Sequence, residues 1–168
     1  MLVLGHAGIA AGVARSFDAR ADLRRVAFAA LLPDLIDKPI FLLFPEFANG
    51  WSRTVCHGAT GLAVFAALAV GLRFRSAKWQ VAAWALHLAL DRMWEEPTIA
   101  LWPWLGWRLP PNPLAYLDRL WAKLTSPWVM GGELAGLLII VWLWRRGGLS
   151  DRERRAAFGA TGELPFVR

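Results

Sequence analysis

Almost every ionisable residue inside the apolar stretches of this 168-residue chain is paired at helical spacing. Asp34 and Asp37 lie three positions apart, Arg53 and His57 four, and His87 and Asp91 four. Such spacings put two side chains on one face of a helix. His6 and Glu133 stand alone. Three histidines with several carboxylates, and no thiolate among them, form a hard-to-borderline ligand set. Imidazole and carboxylate suit zinc, and also iron or manganese. The donors exceed what one tetrahedral ion takes, so the expectation covers one to three divalent ions. Grouped carboxylates need counter-charge, which such ions supply. Centres of this kind activate water and clamp both oxygens of a displacement, as in phosphoester hydrolysis. Arg53 would neutralise a phosphate through paired N–H contacts.

Each residue also has a plainer reading. His6 fits a hydrogen-bonded structural histidine. Asp34 and Asp37, flanked by Pro33 and Pro39, fit a capped helix break. Arg53 with His57 fits an interfacial pair, and His87 with Asp91 a simple ion pair. Glu133 fits an arginine partner or a carboxylic acid protonated in lipid. The single cysteine, Cys56, reads as a small packed residue, and the 11 tryptophans as interfacial anchors. No glycine-rich phosphate loop and no Ser–His–Asp arrangement stands out.

The elements that would position these residues follow from composition. The apolar set is 57% of the chain before its 15 glycines are counted, and charged residues are 19%. Disorder is excluded, because disordered chains are polar and charge-rich. An ordinary soluble globule is disfavoured, because it lacks the polar surface to cover itself. The expectation is an all-α integral membrane bundle of four to five helices. Residues 26–45, 54–72 and 124–144 approach the length of a span, which needs about 20 apolar residues. Residues 79–94 are marginal, and 1–14 form a short or half-embedded first helix. Alternating strands of about ten residues, the mark of a membrane barrel, are not visible. The first residues lack the basic start of a secretory signal peptide.

The basic residues fall in blocks. Segments 15–25, 73–78 and 145–168 hold 13 of the 19 lysines and arginines. With five alternating helices these blocks share one face, which the positive-inside rule makes cytoplasmic. The domain expectation is a membrane-embedded unit over 1–144 and a basic cytoplasmic tail over 145–168. Nucleic acid is disfavoured as a partner, because no recognition motif accompanies the charge. Membrane lipids are the expected partners, and the tail could bind anionic headgroups.

At a rise of 1.5 Å per residue, depth can be counted from the cytoplasmic boundary. His6, Asp34 and His87 lie at about 12 Å, and Asp37, Asp91 and Glu133 at about 17–18 Å. His57 lies at about 22 Å. All seven fall between mid-bilayer and the outer leaflet. Charges at such depth are costly and mark functional sites by default. The convergence argues for one polar site facing the outer leaflet.

Four stretches carry a family resemblance: His6 followed by small residues, Leu32-Pro33-Asp34-Leu35-Ile36-Asp37, Arg53-x-x-x-His57, and His87-Leu88-Ala89-Leu90-Asp91. Together they resemble the membrane-bound metal-dependent hydrolases, also described as LexA-binding, inner-membrane-associated hydrolases. Trp94-Glu95-Glu96-Pro97 and Leu101-Trp102-Pro103-Trp104 resemble one branch of that family. The likeness runs from about residue 3 to 107. It implies a multi-pass inner-membrane protein with a metal centre, most simply zinc, ligated by His6, Asp34, Asp37, His57, His87 and Asp91. It implies a substrate-contacting or supporting role for Arg53. Zinc-dependent phospholipase C, to which the family is likened, implies a phosphoester or lipid substrate. The family usually has Thr before and Ser after the third-block histidine; Cys56 and Gly58 stand here, removing a polar neighbour that could orient the ring.

The expected function is thus a membrane-embedded metal-dependent hydrolase in which Asp37 or Asp91 serves as base and Arg53 contacts substrate. The alternative is a non-enzymatic membrane protein, either a partner-binding factor or a small proton- or metal-linked transporter. A third reading makes the polar pairs interhelical glue.

Overall fold

In the computed structural model, which describes residues 1–166, the chain is all-helical, with no strand among the described residues. Helix α1 spans Val3–Phe17, α2 Leu23–Leu43, α3 Pro45–Ala48, α4 Ala59–Gly71 and α5 Ala77–Leu90. The short α6 spans Pro97–Ala100, α7 Tyr116–Thr125, α8 Pro127–Arg146 and α9 Arg152–Thr161. Single 3-10 turns cover Val55–His57 and Met93–Glu95. Local chemistry sets several ends. Asp151 accepts from the Arg154 amide to start α9, and left-handed Gly162 ends it. Pro127 opens α8, where a missing N–H costs nothing, and Arg145 and Arg146 close it against the helix dipole.

Helix α1 lies against α8 and α2, and α5 packs on α2 and α4. Small residues let these axes approach. A Cβ on Gly8 would overlap the Gly136 backbone, and one on Gly136 would overlap the Leu4 carbonyl. The core is built mainly from Ala10, Ala14, Val26, Ala29, Ala30, Ala69 and Ala83, with Trp84 stacked on Phe65. Close backbone approach through small residues is the packing mode of helices in lipid.

The interior is unusual for a soluble protein. The largest fully buried side chains include His6, His57, His87, Thr54, Asp22 and Asp37, while Leu42, Leu43, Val64, Leu68, Val70 and Leu138 are exposed. Several charged or polar side chains are thus buried within a small-residue core, while many large apolar ones face outward. Among the described residues one helix, α8, is long and apolar enough to cross a membrane, and only 22% of its most apolar window is buried inside the molecule. Helix α4 is apolar and shorter. Helices α1 and α5, at 15 and 14 residues, rise only about 21–23 Å against a hydrocarbon core of about 30 Å. The 21 residues of α2 are long enough but carry Asp34, Asp37 and Lys38.

The three basic blocks meet at one end. The Asp22 amide donates to Ser76 Oγ at 3.0 Å, and the Leu23 amide to the Gly162 carbonyl at 2.9 Å. Trp79 donates to Asp18 at 2.8 Å. The segment after α8 folds back onto this end. Arg15 donates to the Leu164 carbonyl at 2.6 Å and lies over the Phe166 ring, and Leu164 is buried. Of the expected tail, residues 167–168 lie outside the described residues. Asp22 is buried, which opposes its charge, but Arg24 and Arg25 outweigh burial and hold its carboxyl below the ordinary range.

Candidate metal centre

Helix α2 contributes Asp34 and Asp37 to the site, and α5 contributes His87, with Asp91 just past its end. His6 comes from α1. Pro33 and Pro39 sit inside α2 without ending it. Pro33 removes the amide that would bond the Ala29 carbonyl. One residue on, the Ala30 carbonyl accepts from His87 Nδ1 at 2.7 Å.

The expectation that Arg53 and His57 share a helical face is corrected. Residues 51–58 are a loop with a 3-10 turn, and α4 begins only at Ala59. The loop reaches the site because it wraps the Asp37 carboxylate. Asp37 Oδ2 accepts from the amides of Thr54 at 2.6 Å and His57 at 3.2 Å, and Oδ1 from Cys56 at 3.0 Å. It also holds His57 Nδ1 at 2.7 Å. Trp84 donates to the Cys56 carbonyl from the other side at 3.0 Å. Asp37 therefore orients the His57 ring.

Both imidazoles are now fixed in the same sense. The Ala30 carbonyl can only accept, so His87 carries its proton on Nδ1. Asp37 Oδ2 likewise accepts a hydrogen bond from His57 Nδ1. The two Nε2 atoms are left facing each other at 3.1 Å. Two bare lone pairs at that separation repel unless a cation or a shared proton lies between them. Tetrahedral ligands at about 2.0–2.1 Å from zinc sit roughly 3.3 Å apart. Carboxylates complete the ring: Asp34 Oδ1 is 3.6 Å and Asp91 Oδ2 3.8 Å from His57 Nε2.

His6 stacks on His87, with ring centroids 3.8 Å apart. Its Nε2 lies 3.2 Å from Asp91 Oδ1, yet neither ring nitrogen of this buried residue makes a hydrogen bond. Asp91 Oδ2 is likewise buried without one. Among the described residues, two overlapping groups could hold an ion: His6, Asp34 and His87; and His57, His87 and Asp91. Within each, the donor atoms lie within 4.8 Å of one another. Buried ligand atoms without hydrogen bonds and imidazoles of fixed ring orientation fit a divalent cation. Hydrogen-bonded partners behind each ligating histidine are typical of metal sites. Asp37 is in neither group, because its oxygens are already taken.

One side of the cluster is open. The three histidine side chains are sealed, while Asp34 is 10%, Arg53 23% and Lys38 54% exposed. Lys38 Nζ is 3.0 Å from Asp34 Oδ2, and Arg53 is 2.9 Å from Asp91 Oδ2. The Met1 amino group also contacts Asp91. Half-buried Lys123 of α7 lies in electrostatic range of Asp91, Arg53 and Asp34; burial pushes its ammonium below the ordinary lysine value, and Asp91 opposes this. Lys38 was legible as the fourth residue after Asp34, but nothing in the sequence signals Lys123.

Glu133 lies outside the cluster. Its carboxylate accepts from the amides of Leu2 at 2.8 Å, Leu4 at 3.0 Å and Gly5 at 3.0 Å. It caps the start of α1, where amides lack helical partners. Of the two plain readings of Glu133, the arginine partner is absent among these contacts.

No curated protein and no solved structure matches the chain. The sequence model of the YdjM inner membrane protein family matches residues 1–153.

Proposed function

The chain belongs to the YdjM inner membrane protein family, and on that premise we propose that it is a multi-pass metal-dependent hydrolase acting on a phosphoester or lipid. In this reading α1, α2, α4, α5 and α8 form the membrane bundle. The basic end is cytoplasmic by the positive-inside rule. The metal centre then opens toward the outer leaflet.

The supporting observation is the His57–His87 contact, in which two buried imidazoles of fixed tautomer aim their free nitrogens at one point. His57 and His87 would hold the ion with Asp34, and His6 would join from its stacked position, leaving Asp91 outside the ligand set. Zinc suits this donor set best, with iron or manganese as alternatives. When bound, such an ion polarises a phosphoryl oxygen and lowers the pKa of water.

The chain's own residues do the rest. Asp37 orients His57 and is too fully bonded to act as base. That task falls to Asp91, whose Oδ2 is engaged by the Arg53 ion pair at 2.9 Å and by no other side chain at hydrogen-bond distance. Arg53 holds Asp91 in the absence of substrate. An arriving phosphate would compete for the guanidinium and free Asp91 Oδ2 to accept a proton from water. The buried histidines and the Met1 and Ala10 surroundings exclude bulk water behind the site.

The test is phosphoester hydrolysis by detergent-purified protein loaded with zinc, manganese or iron. Turnover that disappears in His87→Ala supports the proposal. Turnover retained at the parent level in His87→Ala or in the metal-free protein contradicts it. The continuous chain Asp37–His57–His87 favours a second reading, a proton relay. That reading expects pH-driven flux in vesicles without hydrolysis.

A further inference from the structure

Helix α7 is amphipathic in an inverted sense. Leu117, Leu120, Trp121 and Leu124 recur at i, i+3, i+4 and i+7, which gathers them on one face. In a soluble protein this face would turn inward. Here Leu117 is 72%, Trp121 69% and Leu124 41% exposed. Residues turned toward the protein are charged: Arg119 and Lys123, one helical turn apart, are half-buried. Among its tertiary partners α7 packs chiefly on α8.

The surroundings identify what covers the apolar face. Trp94, Trp104, Trp107 and Trp128 are exposed in the neighbouring segments, at 64%, 70%, 73% and 49%. Trp128 is tied to the end of α5 through the Leu90 carbonyl, at 3.0 Å. This is the end of the bundle opposite the basic blocks. Tryptophan concentrates where the bilayer meets water, and in-plane helices seat an apolar face about 5–10 Å into that boundary.

We propose that α7 is an interfacial helix lying along the membrane surface, with Leu117, Leu120, Trp121 and Leu124 in lipid and its half-buried Arg119 and Lys123 turned toward the protein. The open side of the His/Asp cluster, at this same end of the bundle, then lies at headgroup depth, and a ligand reaches it from the leaflet. That last consequence rests on the proposed function; the seating of α7 rests on its exposure pattern alone.

The test uses nitroxide labels on full-length protein in nanodiscs of phosphatidylcholine and phosphatidylglycerol. Single cysteines replace Leu117, Leu120, Leu124, Asp118 or Ala122 in a Cys56→Ala background, and collisions with oxygen and with a water-soluble nickel chelate are compared. The oxygen-to-nickel ratio is expected to be several-fold higher at Leu117, Leu120 and Leu124 than at Asp118 and Ala122. Nickel access at all five positions overturns the proposal by placing α7 in water. Protection from both reagents, with spin–spin broadening on the apolar face, overturns it in favour of a second copy of the chain. Metal content measured on the same samples reports separately on the cluster, so failure of one idea is not mistaken for failure of the other.

Discussion

Asp37→Asn separates a positioning role from a ligating one. The carboxylate serves four donors, three at Oδ2 and one at Oδ1. An asparagine retains one acceptor oxygen. Placed at the Oδ2 position it keeps the His57 ring contact, but its amide group then faces the Cys56 N–H donor. The ring loses the full negative charge that fixes its tautomer. Removing such a supporting partner typically costs 10–100-fold in metal affinity, or about 1.4–2.7 kcal/mol. The unsatisfied Cys56 amide adds about 1–3 kcal/mol of lost stability. Chelator competition with zinc in detergent measures the first cost, and thermal unfolding the second. Asp34→Asn, a change at a proposed ligand, should lose more affinity than Asp37→Asn. Parent-like affinity in Asp37→Asn would refute the orienting role. Loss as complete as in His57→Ala would refute the distinction between support and ligand.

Three further outcomes follow from the fold. Gly8→Ala should destabilise the protein by about 1–3 kcal/mol and lower its metal content, because the new Cβ meets only backbone of Gly136 and α1 must withdraw with His6; thermal unfolding and elemental analysis check both. Glu133→Ala leaves three amides at the start of α1 without their acceptor and should cost about 0.5–2 kcal/mol in the same unfolding assay, with Glu133→Gln recovering part of it. Asp22 has a folded pKa below its unfolded one, so its contribution is full above the ordinary carboxylate value of about 3.9 and fades as pH falls toward the folded value. Melting temperature against pH should therefore drop less steeply in acid for Asp22→Asn than for the parent.

Counting depth along the helices groups His6, Asp34, His87 and Asp91, which do lie together in the fold, but it also groups Glu133, which does not. Arg53 and His57 reach the same cluster by another route than the one their spacing suggested. Their spacing suggested a helix, but four donors around Asp37 hold residues 51–58 as a loop. No periodicity rule encodes a carboxylate gathering backbone amides from another segment. Glu133 was read as a lone charge because its partners are main-chain groups, which a sequence does not display. The contact depends on Gly8 and Gly136 letting α1 and α8 meet. The inverted face of α7 was also hidden: the spacing shows an amphipathic helix, but only the fold shows which face is turned outward. Basic blocks distant in sequence did come together, because each caps the same ends of alternating helices.

The most direct test of the account is elemental analysis of the detergent-purified protein, without a histidine tag, beside an Asp34→Ala/His87→Ala double variant. The account predicts near-stoichiometric zinc, iron or manganese in the parent and its loss in the variant. No metal in the parent after reconstitution, or equal metal in both, would contradict it.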